Sequence, residues 1–145
     1  MPGTPEFTVD EVAWSEASGV LSALRREVFI VEQGVPEDLE WDGIDPDCRH
    51  VLAEDPVGRA IGCGRLLPDG HIGRMAVRSE WRGRGVGAAL LLQLVALARE
   101  QGFARVALNA QTRAAGFYAR YGFEASGPEF DEAGIPHRAM ERVLR

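Results

Sequence analysis

The chain contains no lysine. All 16 of its basic side chains are arginines, so a motif that requires lysine is excluded at once, the phosphate-binding loop GxxxxGK[ST] first among them. Cysteine is almost as scarce. Cys48 and Cys63 stand apart, without the spacing of a metal site or a redox pair, and read as small buried thiols; no metal is expected. No apolar run approaches the ~20 residues that a membrane-spanning helix requires. The first residues, MPGTPEFTVDEV, lack the basic and apolar regions of a secretory leader, which points to the cytoplasm. There is no internal repeat and no low-complexity tract. A formal net charge of −6 with dispersed arginines argues against broad nucleic-acid binding. At 145 residues, 46% of them hydrophobic, the chain reads as one domain, 1–145, able to bury about two-thirds of its unfolded surface.

What the chain does have is concentrated between Arg74 and Gly87, RMAVRSEWRGRGVG. Met75-Ala76-Val77 reads as the end of a strand, Arg82–Gly87 as a glycine-rich turn, and Ala88–Gln101 as a helix that is apolar nearly all round. Strand, glycine turn and helix together present backbone N–H groups at a helix N-terminus, where the macrodipole favours an anion. Four arginines against one glutamate reinforce that preference locally. The segment reads as a cradle for a diphosphate.

Around it the pattern alternates. Residues 7–14 read as a strand, and Ser15 as the N-cap of a helix running to about Val31 whose buried face is Leu21, Leu24, Val28 and Val31. The stretch 37–47 carries six acids and no base; it reads as a solvated loop, with a substrate-attracting rim as the alternative. Strands at 50–54, 59–67 and 71–77, joined by Asp55–Gly58 and Pro68–Gly70, form an antiparallel meander. A buried strand follows the long helix at 105–109 and should lie parallel to 71–77 through a right-handed crossover. A helix at 112–121 and two strands, 123–130 and 137–143, close the chain. The class is therefore α+β: a mixed, mostly antiparallel central sheet with one parallel βαβ unit and helices on both faces.

Two phosphate motifs remain after the P-loop is excluded. GRGVGA, from Gly83 to Ala88, matches a dinucleotide turn, but the preceding strands form a meander, and Gln101-Gly102-Phe103 stands where the ribose-binding acid belongs. The other motif, [RQ]xxGx[GA], is met by Arg82-Gly83-Arg84-Gly85-Val86-Gly87. With MAV before it and Ala114…Phe117-Tyr118…Tyr121-Gly122-Phe123 after it, similar to the signature A-x-x-x-Y-x-x-x-G-F, the chain resembles the GNAT superfamily of acyl-coenzyme A-dependent N-acyltransferases. VFIVEQGVP (28–36) and EFDEAGIPH (129–137) further resemble its small ElaA-like bacterial branch.

The resemblance implies a set of roles. Arg82, Gly83, Arg84, Gly85, Val86, Gly87 and Ala88 would hold the diphosphate of acetyl-CoA. Met75, Ala76 and Val77 would line the pantetheine arm, with the N–H groups of Met75 and Val77 bonding it, and Phe117 would help to hold the cofactor. Tyr118 would lie near the thioester sulfur. The family's usual Asn before the final motif is replaced by Gln111, with Asn109 two residues earlier, so either amide is a candidate cofactor contact. The reaction implied is acetyl transfer to a primary amine by direct attack, with no metal; an acyl-CoA-sensing domain without catalysis is the alternative. The acidic stretch 37–47 points to a small cationic amine as acceptor. Monomer and homodimer are both left open.

The chemistry needs a free amine, a held oxyanion and a proton for the departing thiolate. An alkylamine of pKa ~10.4 is almost wholly protonated at neutral pH, so a base must take a proton. Tyr118 is the natural acid. Candidate bases are Glu32, His50, His71, Glu129 and His137. Glu32 is taken as the base because, after an apolar stretch, burial would raise its pKa; pairing with an arginine is the competing fate. His50 reads as structural, His71 as exposed, and His137 as a residue able to face the cleft.

Overall fold

A computed structural model describes residues 6–144. The strands β1 (Thr8–Val12), β2 (Arg49–Glu54), β3 (Ala60–Leu66) and β4 (Ile72–Val77) form an antiparallel sheet in chain order. A second sheet has the order β5 (Arg105–Gln111), β7 (Ile135–Val143), β6 (Glu124–Glu132), also antiparallel. The α+β class, the antiparallel character and the helices on both faces are as the sequence indicates. The parallel βαβ crossover is there too, but its pairing is slight. Strands β4 and β5 meet only at a single bridge between His71 and Ala107, where the Ala107 N–H reaches the Gly70 carbonyl at 3.2 Å. Beyond it they part.

The cause of the parting lies in β4. Its register against β3 shifts between Cys63 and Arg65, and Arg74 takes the left-handed conformation at φ 49°. A bulge of this kind bends its strand and re-aims the residues beyond it. Strand β5 meanwhile commits its other edge to β7 over its whole length, from Arg105↔Val143 to Gln111↔His137.

Helix α1 (Trp14–Arg25) covers one face of the first sheet, packing Leu21, Leu24 and Val28 on Leu52, Cys63 and Ala76. It begins at Trp14 rather than at a Ser15 cap, and it continues as a π-helical segment, Arg26–Glu32. The wider π turns rotate Val31 off the buried stripe, and it is 74% exposed where the α-helical period places it inside. The long helix α3 (Val86–Gln101) covers the opposite face. It lies close because β3 offers glycine there: a Cβ on Gly64 would stand 2.8 Å from Leu94 Cδ1.

Three further segments depart from expectation. The acidic stretch folds as a short helix α2 (Glu37–Glu40) and a 3₁₀ turn (Asp45–Asp47), with Glu40 and Asp45 buried. Their charges meet Arg25, which bonds Glu40 and Asp45 at 2.7 Å each, and Arg65, which bonds Asp45 at 2.7 Å and Asp42 at 2.5 Å. It is an internal ion network, not a solvated loop. The closing hairpin is also tighter than the sequence suggests. Ala133 and Gly134 both take positive φ, as a two-residue turn requires, so β6 extends to Glu132 and β7 begins at Ile135. Between β5 and β6, a 3₁₀ turn (Thr112–Ala114) and the short helix α4 (Ala115–Ala119) replace the longer helix expected there.

Candidate active site

Where β4 and β5 separate they leave a cleft of about 840 Å³, walled by Met75 and Val77 on one side, Asn109 and Gln111 on the other, and Phe117 and Tyr118 of α4. On β4 the Arg78 N–H donates to Ile61 across the β3 pair at 2.9 Å. Alternation therefore turns the N–H groups of Val77 and Met75 away from β3, into the opening. Ala76 is buried against α1.

At one end of the cleft stands the glycine turn. Gly83 and Gly85 sit at φ 75° and 87°, and Gly85 caps α3. The first backbone bond of the helix is from Ala89 N–H to Gly85. The six N–H groups from Gly83 to Ala88 have no partner of normal geometry among the described residues. Clustered donors at the positive end of a 16-residue helix make an anion site. Arg82 and Gly87 reach the cleft wall; Gly83–Val86 and Ala88 form the rim beyond it. Arg84 stacks its guanidinium 3.9 Å from the centroid of Trp81 and pairs with Glu6 at 2.6 Å.

Tyr118 is half-buried, its ring held edge-on by Phe117 and Phe123. Its hydroxyl lies 3.7 Å from Met75 Sδ, on the β4 side of the cleft. Burial pushes the phenol up to about 12, so it keeps its proton at neutral pH. Asn109 and Gln111 both line the cleft, but their states differ. Gln111 Nε2 donates to Gln33 at 2.9 Å while its oxygen accepts from Arg113 at 3.0 Å; Asn109 is exposed.

The family model that describes the acetyltransferase (GNAT) domain matches residues 5–144. The chain belongs to the GNAT acetyltransferase family. The Bacillus subtilis N-acetyltransferase YjcF is 36% identical over 121 residues, covering 81% of this chain and 86% of that one. The crystal structure of Escherichia coli ElaA superposes with a TM-score of 0.84 at 30% identity, over 93% of this chain and 99% of that chain. An acyl-CoA N-acyltransferase from Pseudomonas aeruginosa gives 0.80 at 34% identity, over 94% and 98%. By kinship the protein is an N-acetyltransferase.

The base candidates fall out differently in this acetyltransferase. Glu32 lines the cleft, but the burial expected of it is absent. The π turn leaves it exposed, and Arg82 binds it at 2.5 and 2.8 Å, which holds its carboxyl below the usual range. A carboxylate clamped this way is a weak proton acceptor. We expect Glu32→Gln to lower kcat by less than about fivefold; a loss of about a hundredfold would restore it as the base. His50 is buried, stacked on Trp14 and bonded to the Asp45 carbonyl, with burial lowering its pKa. His71 is half-exposed beside Asp69. Glu129 is not on the cleft wall, whereas His137 is. Among the polar residues of that wall, sequence reasoning missed Gln33, Arg65, Arg113 and Glu132. Among the described residues, no group of His, Cys, Asp and Glu is placed to hold a metal, and no helix is long and apolar enough to cross a membrane.

Proposed function

We propose that this protein transfers acetyl from acetyl-CoA to a primary amine by direct attack. The observation that carries the reading is the opening between β4 and β5, which has unpaired N–H groups at one end and the Tyr118 hydroxyl on its wall. The N–H groups of Gly83–Ala88, with Arg82 and Arg84, bind the diphosphate. The N–H groups of Met75 and Val77 bond the pantetheine arm, and the nearer of them to the thioester steadies the oxyanion. Phe117 packs beside Gly87 and forms the floor under the cofactor. Asn109, whose amide has no partner among the described residues, contacts the arm, while Gln111 ties Gln33 across the cleft.

The amine attacks the thioester carbon, the C–S bond breaks, and Tyr118 protonates the departing sulfur. The acidic stretch no longer argues for a cationic acceptor, because Glu40, Asp42 and Asp45 are neutralised by arginines and Glu37 pairs with Arg26 at 2.5 Å. Free-thiol release from acetyl-CoA over amines, amino acids, aminoglycosides and peptides tests the reading. Acceptor-dependent release supports it; tight acetyl-CoA binding with no release on any acceptor overturns it.

A further inference from the structure

The acceptor half of the cleft has a charge balance that selects among amines. Of the carboxylates on its wall, Glu32 is held by Arg82, and Glu40 by Arg25 and Arg74. Among the described residues, Glu132 is the one wall carboxylate without an arginine partner, and its side chain is 53% exposed. His137 Nε2 stands 3.5 Å from its carboxylate. The imidazole Nδ1 donates to the Ile135 carbonyl at 2.7 Å, which places the neutral ring's proton on Nδ1 and leaves the Nε2 lone pair towards Glu132. The tight Ala133–Gly134 turn is what brings both groups to the cleft.

The cations give the converse result. Arg65 is spent on Asp42 and Asp45, and Arg74 on Glu40 and Asp42. Arg113 donates to the Gln111 amide at 3.0 Å and acts on Glu32. Among the described residues no guanidinium pairs with Glu132, so an acceptor carboxylate docked there would meet its negative charge. Phe29, Val35, Leu39, Leu67 and Ile135 give that wall an apolar stretch. Leu39 is 53% exposed, a large apolar side chain held in water at the mouth.

We propose that the acceptor is a primary monoamine with an apolar alkyl or aryl body, its ammonium docked on Glu132. This rests on the acetyltransferase reading above. His137 Nε2 takes one proton from the ammonium, and the freed lone pair attacks the thioester carbon. The carbonyl π pair moves to oxygen and returns as the C–S bond breaks. Tyr118 gives its proton to the thiolate and recovers one from the acylated nitrogen; His137 loses its proton to solvent. An amino acid brings a carboxylate with no partner, and a polyamine brings ammonium groups that find no second free acid.

The test compares 2-phenylethylamine and hexylamine with leucine and spermidine as acceptors at saturating acetyl-CoA. The two monoamines are expected to show a kcat/KM about tenfold or more above the others. Glu132→Gln should raise the acceptor KM about tenfold and leave the acetyl-CoA KM unchanged. His137→Gln should lower kcat about a hundredfold with coenzyme A affinity retained. Calorimetry of 2-phenylethylamine on the CoA-loaded protein, wild type against Glu132→Gln, reads docking without turnover. Preference for leucine or spermidine, or a Glu132→Gln variant with unaltered amine affinity, overturns the proposal while acetyl transfer stands. Glu132-dependent amine binding without any thiol release upholds the docking and overturns the transfer reading instead.

Discussion

Tyr118→Phe is expected to lower kcat about a hundredfold while the acetyl-CoA KM stays within about twofold. The phenol stands beside the β4 rail, and its ring is held by Phe117 and Phe123. Burial holds it up at about 12, so it is fully protonated in the assayable range. It therefore adds no falling alkaline limb to kcat below pH ~11. General acids contribute ~10²–10⁴; the lower figure applies because a thiol of pKa ~8.5 is already a fair leaving group. Removing the hydroxyl costs the fold little, since its contact is the weak acceptor sulfur of Met75 at 3.7 Å. Steady-state kinetics from pH 7 to 10 decide the matter. Unchanged turnover removes Tyr118 from the acid role, and a loss confined to acetyl-CoA affinity recasts it as packing.

The parts of this enzyme legible in the sequence are those whose signals are local. The glycine turn, the apolar helix after it and the Gly102 stop are each specified by neighbouring residues, and the helix starts only two residues earlier than its apolar period suggests. The parting of β4 from β5 is not local. It depends on Arg74 adopting positive φ, a conformation that no residue around an arginine announces. The burial expected of Glu32 failed for a similar reason. Its exposure follows from π turns, and those leave a stripe that looks merely imperfect, with Phe29 and Ile30 off it.

The ion network, by contrast, left a readable trace. Arg25 falls on the same helical face as Leu21, Leu24 and Val28, four residues after the first of them. A guanidinium on a buried stripe demands carboxylates, and the acidic stretch 37–47 supplies them. The total absence of lysine fits that use. Arg25 and Arg65 each bridge two carboxylates, which a planar fork can do and a single ammonium does poorly. The network holds α2 and its flanking turn against α1 and β3, and so fixes Leu39 and Glu40 on the acceptor wall.

Arg25→Ala should accordingly cost ~3–5 kcal/mol, the range for removing one partner of a buried ion pair. Arg25 is 1% exposed, donates to Glu40 and Asp45 at 2.7 Å, and lies 5.2 Å from the Trp41 centroid. Its loss leaves buried Glu40 with Arg74 and buried Asp45 with Arg65, each acid one cation short. Burial already pushes Glu40 upward against the arginines that keep it ionised. For a domain with ~5–15 kcal/mol of total stability, the loss is about a fifth or more, a fall in Tm of about 10 °C. Urea denaturation should show a lower midpoint at unchanged m. Arg25→Lys separates charge from geometry: it keeps the cation but reaches one carboxylate well, and should lose about half as much. Equal stability of wild type and Arg25→Ala would mean that Arg65 and Arg74 alone neutralise the cluster. Equal loss in Arg25→Lys and Arg25→Ala would mean that the fork itself, rather than its charge, seats the acidic segment.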